Sequence, residues 1–424
     1  MSSTFDISAI DADLLASFRN ITDPLADQTI EKIIESGKKE HVNQMMMMLF
    51  RNESFEKGMF STLGDDVSKV LDAYIETTQK LPDWAEPQKI KDGERLFSLY
   101  GPEIFMLLNV SSLPLCYTCA NGAQVLYDTG RLLVHNNNID PLARRLMETA
   151  QMVVNVLAEG GLSPQGKGLV TVQKVRLIHA SIRYYLKQKR QFDTKKFGEP
   201  INQEDLAGTL MSFGPVILSG LRKLNVKLSD AEENNYMHCW RVVGYLMGID
   251  ERLLPDNYRD GFELATRILK NQSSESEAGK ALTDSCIQFI NYLIPGNAFS
   301  EVPAYFMDYF LQDFAASSGK NLSQFIGISG RQDRKERIIL GLAKLIVGGL
   351  SHLEEHHFVQ KISARFNKKL LEGVIHHFND GKSVQFFIPP SLKKDWGLID
   401  EWDNLITSPS VFGKRLSLQK KINQ

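Results

Sequence analysis

A chain of 424 residues is long enough for two or three domains, or for one large helical body with room for a prosthetic group in its core. Its 49 basic and 51 acidic residues leave a net charge of -2, which gives no electrostatic ground for nucleic acid or an anionic membrane as a main partner. Four cysteines do not make a disulfide framework, the opening MSSTFDISAIDADLL has no basic-then-apolar leader, and no long uninterrupted apolar window occurs. The expectation is therefore a soluble, cytoplasmic protein with no transmembrane segment.

Apolar residues recur at spacings of three and four through most of the chain and alternating β-branched runs are scarce, so the class is mainly α. Residues 1–80 read as an N-terminal helical segment, 81–300 as the core and 301–424 as a C-terminal helical region. The run MMMMLF at 45–50 reads as core filler, because methionine adapts to irregular gaps. CYTC at 116–119 has neither the surrounding βαβ pattern of a redox motif nor the second pair of a zinc site, and reads as buried free thiols.

Three helices have readable ends. The first opens at Asp140, an N-cap followed by Pro141 at the first helical position, and stops at Gly160. The second follows the glycine-rich loop GGLSPQGKG at 160–168. The third opens at Ser229 with Glu232 three residues on, a capping box, and runs to Gly248. VQFFIPP at 384–390 is the one candidate strand.

The second helix carries KVRLIHASIRYYL, residues 174–186. On a helical wheel Val175, Ile178, Ile182 and Leu186 form an apolar stripe, His179 lies at its edge, and Arg176 and Arg183 continue just beyond. That order of groups suits a flat apolar ligand with a metal at its centre and carboxylates on its rim, which describes haem. It also suits a core-edge histidine bonded to backbone beside two solvated arginines. His238 falls opposite Tyr236, Trp240, Val243 and Met247 and is expected to point away from the core. His135 and His41 sit in polar stretches with no apolar wall. On the first helix Leu142, Leu146, Thr149, Val153 and Val156 share one face, with Arg145 and Met152 at its margin. Trp240 and Tyr245 read as packing groups.

KVRLIHASIRYYL, the upstream RRLMETAQMVVNVL with GGLSPQGKG, and the downstream PINQEDLAGTL and HCWRVVGYLMGIDERLLP resemble, in order and spacing, the superfamily of latex-clearing proteins (rubber oxygenases) and related haem oxygenases of fungal terpenoid pathways. LPDW at 81–84 and SLPLCYTCANGAQVLYDTGRL at 112–132 are similar to the family's entry region. The resemblance spans roughly 80–300. It implies a globin-like helical core with additional N- and C-terminal helices, holding non-covalent haem b with iron on His179 and its propionates on Arg176 and Arg183. It also implies catalytic roles for Arg145 and Thr149 over the distal face. Glu148 stands where the polyisoprene-cleaving members have a lysine. A carboxylate can handle protons but does not supply the same sixth ligand. A further arginine of the family has no evident counterpart; the stretch VPAYFMDYFLQD offers Asp308.

GLSPQGKG reproduces most of a phosphate loop but lacks its final Ser or Thr and follows a helix rather than a strand. HLEEH at 352–356 fits an inverted zinc-protease signature without an identified third ligand, and HHF at 376–378 adds little. The expected function is a haem b-dependent oxygenase that activates dioxygen for oxidation or cleavage of a small, apolar, isoprenoid- or lipid-like substrate. The alternatives are a non-catalytic haem-binding or gas-sensing protein, a helical interaction protein without cofactor, and a zinc hydrolase built on HLEEH.

Overall fold

A computed structural model describes residues 5–36, 58–130, 132–134, 139–164, 166–294, 297–342 and 354–378, together with 44, 45, 48 and 55. Among these residues the fold is all α. The helices are α1 (Ala12–Phe18), α2 (Pro24–Glu35), α3 (Asp65–Thr78), α4 (Pro87–Leu107), α5 (Leu113–Thr118) and α6 (Ala120–Thr129). They continue with α7 (Asp140–Leu157), α8 (Lys167–Lys189), α9 (Thr194–Phe197), α10 (Gln203–Phe213), α11 (Pro215–Lys223), α12 (Asp230–Leu246) and α13 (Tyr258–Gln272). The remainder are α14 (Glu277–Leu293), α15 (Val302–Phe310), α16 (Gln312–Ser318), α17 (Leu322–Phe325), α18 (Arg331–Leu342) and α19 (Glu355–Phe378). One isolated antiparallel bridge, Cys119 with Ser273, is the extended pairing among the described residues. The expected strand at 384–390 lies outside them.

The three readable helix ends fold as their chemistry dictates. Ser229 and Glu232 form the reciprocal capping box at the start of α12. Helix α8 starts after Gly166, and α7 carries Pro141 in its first turn, with Ile139 rather than Asp140 as the residue that flanks it. Gly160 closes the first helix with a positive φ of 72°.

Two apolar clusters hold the elements together. The larger runs from Ile10 to Leu370 and takes in most helices of the chain. The smaller joins α2 (Ala26, Ile30, Ile33) and α3 (Val67, Leu71, Tyr74) to α8 (Leu177, Ile178, Ile182, Leu186), with Met45 filling it as expected of that methionine run. Residues near the N-terminus thus cover the helix that carries His179. The kinked run Pro87–Thr118 is long and apolar enough to cross a membrane by length and composition, and half of it is buried inside the fold, where α4 packs along α12.

Helix α1 is fastened to α10 by a buried polar cluster. Arg19 Nη1 lies 3.1 Å from Glu204 Oε2 and 3.0 Å from Asp205 Oδ1, and Gln272 donates to the same Glu204 oxygen at 2.8 Å. One cation faces two carboxylates, and burial pushes Glu204 up to about 7 against the pull of Arg19. A carboxyl whose folded pKa is raised contributes stability that is full below its unfolded value of 4.5 and is lost as the pH climbs towards about 7. Glu204→Gln keeps the shape without the charge. It is expected to flatten the pH profile of the urea midpoint across that window; a profile of unaltered slope would remove Glu204 as its source.

Candidate functional site

Helix α8 is central rather than amphipathic. From Gly168 to Leu186 its residues are buried except Arg176, His179 and Tyr184, which are half-buried. The expected apolar stripe is real, but α2, α3 and α7 cover the other faces as well. His179 and Arg176, three residues apart, share the side of the helix left partly open.

The two arginines flanking His179 are not solvated. Arg176 grips Asp23 with both Nε (2.5 Å) and Nη2 (2.8 Å), and gives Nη1 to the Leu246 carbonyl at 3.1 Å. Arg183 donates Nε to Asp27 at 2.7 Å and Nη1 to the Ile201 carbonyl at 3.3 Å, while its buried Nη2 has no hydrogen-bond partner among the described residues. Asp23 and Asp27 stand one turn apart at the start of α2. Gly248, with φ of 79°, makes room for the first guanidinium, because a Cβ there would come within 2.6 Å of Arg176 Nη2. Gln203, inside PINQEDL, binds this corner together. It donates Nε2 to the carbonyls of Thr22 (2.8 Å) and Gly248 (2.9 Å), and accepts from Asp250 N–H at 2.8 Å.

Facing this helix, α7 gathers all three residues expected on the distal side. Arg145 Nη1 donates to Thr149 Oγ1 at 3.1 Å, and the same nitrogen lies 3.8 Å from Glu148 Oε2. Glu148 is 1% exposed. The loop GGLSPQGKG turns α7 back antiparallel onto α8. At this hairpin Asn155 donates to Thr171 Oγ1 at 2.9 Å, and a Cβ on Gly168 would stand 2.6 Å from the Asn155 carbonyl. Two turns back along α7 from Asn155, this register brings Glu148 level with the Ile178–His179 turn.

The loop's likeness to a phosphate loop has a structural explanation. Its backbone holds the chain's own Glu94, whose Oε2 accepts from Gly160 N–H at 3.1 Å. Gly161 and Leu162 amides add to that cradle, and burial still raises the Glu94 carboxyl above its usual range.

His238 corrects the helical-wheel expectation. It is 5% exposed, and its Nε2 accepts from the Glu86 backbone N–H at 2.9 Å, at the start of α4. Burial lowers it to about 4, so it is the neutral ring that accepts this bond. The wheel failed here because α4 packs on the side that the α12 sequence presents as polar. Trp240 stacks on Phe213 at 4.8 Å, and Tyr245 meets Trp84 edge-on at 5.9 Å, both as packing groups. Cys116 and Cys119 are free but half-buried. Asp308 accepts from Ser323 Oγ at 2.6 Å. His41, His135 and His352, with it the first ligand of HLEEH, lie outside the described residues, as do the side chains of His376 and His377. No cluster of three metal-ligating side chains occurs among the described residues.

The sequence profile of the family described as ER-bound oxygenase mpaB/B'/Rubber oxygenase, catalytic domain, matches residues 117–347, more than half of the chain. The chain belongs to this family. It is an all-α oxygenase of that family, and its matched segment contains both α7 and α8. A rubber oxygenase of Streptomyces sp. (strain K30) is 21% identical over 371 residues, covering 87% of this chain and 86% of the relative. The structure of latex clearing protein LCP in the closed state superposes with a TM-score of 0.64 at 19% identity, covering 88% of this chain and 95% of the other. That likeness extends the shared fold beyond the profile match to most of the chain.

Haem b would ask three things of this site: a nitrogen for its metal, donors for two carboxylates, and polar groups near the other face. The residues fit in kind. His179 lies between two arginines that already hold carboxylates, a buried Arg183 donor is left over, and Arg145, Glu148 and Thr149 stand together on the neighbouring helix. What the sequence did not reveal is that both guanidiniums are engaged by Asp23 and Asp27. The DP of TDPLAD is legible as a helix start, but nothing in it names its partner 153 residues away.

Proposed function

We propose that this oxygenase is haem b-dependent, with His179 as the iron ligand, and that it uses dioxygen to oxidise or cleave a small apolar substrate of isoprenoid or lipid type. The observation that supports the reading is that two packed helices carry, on one, a half-buried histidine between two carboxylate-holding arginines and, on the other, the Arg145–Glu148–Thr149 group. The name of the Streptomyces relative, a rubber oxygenase, supports the isoprenoid class.

Haem supplies the redox-active iron for dioxygen chemistry when it is bound. The protein's part is electrostatic and protonic. Arg145 holds a positive charge against the Thr149 hydroxyl, which accepts from it and can turn its own proton to the Arg145 carbonyl at 3.3 Å or to a reacting oxygen. Glu148, out of bulk water and close to that cation, can hold or return a proton. Because Glu148 stands where polyisoprene-cleaving members have a lysine, the second reading is a haem-binding gas sensor without turnover.

Purified chain expressed with a haem supply is expected to show a Soret band, a pyridine haemochrome of the b type and iron near one per chain. It is also expected to consume oxygen when supplied with a reductant and a polyunsaturated isoprenoid alkene. A Soret band with no oxygen uptake on any alkene would favour the sensor. Protein with no haem and no iron would overturn both.

A further inference from the structure

Two buried arginines that should serve a ligand's carboxylates are instead satisfied by two carboxylates from one turn of the same chain. We infer that the first turn of α2 is an internal occupant of the haem's carboxylate seats, with Asp23 and Asp27 standing in for the propionates and withdrawing when the cofactor loads. This inference rests on the haem reading above.

Four features bear on such an exchange. Asp23 is the N-cap of α2, yet its capping bond to Ala26 N–H is long, 3.4 Å, because both of its oxygens are drawn to Arg176 at 2.5 and 2.8 Å. The corresponding cap bonds from Asp11 and Asn202 are 2.8 and 2.9 Å. An Asp23 released from the arginine therefore has a ready second partner in its own helix end. Asp27 is the more exposed of the two, at 20% against 3% for Asp23. It borders a small open cleft of about 60 Å³ with Thr22, Glu31, Arg183 and Tyr184, so water can solvate it on release. The Nη2 of Arg183, buried and without a hydrogen-bond partner among the described residues, is a donor that a carboxylate can take up once Asp27 has lifted.

The moving part is bounded on both sides. Upstream, Gln203 holds the carbonyls of Ile21 and Thr22. Downstream, Ile30 and Ile33 are anchored in the apolar cluster with α3 and α8. Only the turn from Asp23 to about Asp27 has to lift, and of the buried cluster residues it takes Ala26 alone with it. The cleft is lined by charges of both signs, Asp27, Glu31 and Glu199 with Arg183 and Lys187, and such a lining does not suit an isoprenoid chain, which separates it from the seat of an apolar substrate.

The test is a titration of haem-free protein with ferric haem b, followed at the Soret band, for wild type, Asp23→Asn/Asp27→Asn, Glu31→Gln and His179→Ala. Asparagine keeps the capping ability and removes the competing charge. The double variant is expected to bind haem about tenfold tighter or more, since it no longer has to be opened before binding. Glu31→Gln, which changes charge on the same cleft without touching either arginine, should leave affinity near that of wild type. In wild type, haem should raise hydrogen exchange at the amides of residues 26–28 while those of 30–35 stay protected, a readout that needs no variant to fold. Unaltered affinity in the double variant, an equal gain in Glu31→Gln, or unaltered exchange at 26–28 would overturn the inference. Such results leave the haem reading standing if the wild-type band depends on His179. Absence of any His179-dependent band in all proteins would sink the reading and the inference together.

Discussion

His179→Ala is expected to abolish stoichiometric haem binding, with a loss of affinity of more than about 100-fold. Partners that merely orient a metal ligand are worth roughly 10–100-fold, and the ligand itself is worth more. In the proposed function the imidazole is the metal ligand, it lies on the half-open side of α8, and alanine is well tolerated in a helix interior, so the fold should survive the change. Far-UV circular dichroism and the urea midpoint report that survival, and the visible spectrum reports the ligand. A folded His179→Ala protein with an undiminished Soret band would place the iron elsewhere. Oxygen uptake should disappear together with the band, because Arg145, Glu148 and Thr149 have no redox chemistry of their own.

The largest stability effect is expected from Arg176→Met in the haem-free chain, a loss of about 3–5 kcal/mol. The reason is less the attraction lost than the charge left behind. Asp23 is 2% exposed and takes both guanidinium bonds from Arg176, so without that cation it is a buried carboxylate with only a long capping bond. Pairing the change with Asp23→Leu should recover most of the loss, since replacing both partners of a buried pair by apolar groups is often close to neutral. Urea denaturation of the two single variants and the double variant closes the cycle. A single variant within about 1 kcal/mol of wild type would mean that water reaches Asp23 far more than its burial indicates.

The two predictions separate what α8 does for a cofactor from what it does for the fold, and the same helix shows how far sequence reasoning reaches. Helical class, the ends of α7, α8 and α12, and the capping box at Ser229 are consequences of local chemistry. Cap hydrogen bonds, proline in a first turn and glycine past a helix end act over a few residues. The nearness of Arg145, Glu148 and Thr149 is local too, because residues three and four apart on one helix are neighbours. Long-range partners were not legible. The wheel of α12 put His238 outside, and packing of α4 put it inside. The wheel of α8 left Arg176 and Arg183 either for a ligand's carboxylates or for solvent, and α2 delivered carboxylates of its own. GLSPQGKG looked like an anion site, and Glu94 from α4 turned out to fill it.

By itself, then, the sequence determined the helices, their ends, the family resemblance and the set of side chains available for a haem-type site. Only the tertiary structure decided which of those side chains are already engaged, and it seated Asp23 and Asp27 on the two arginines. The physical reason is that a helix's own hydrogen bonds and caps close within a turn of chain, whereas a buried charge is settled by whichever opposite charge the packing of distant helices delivers to it.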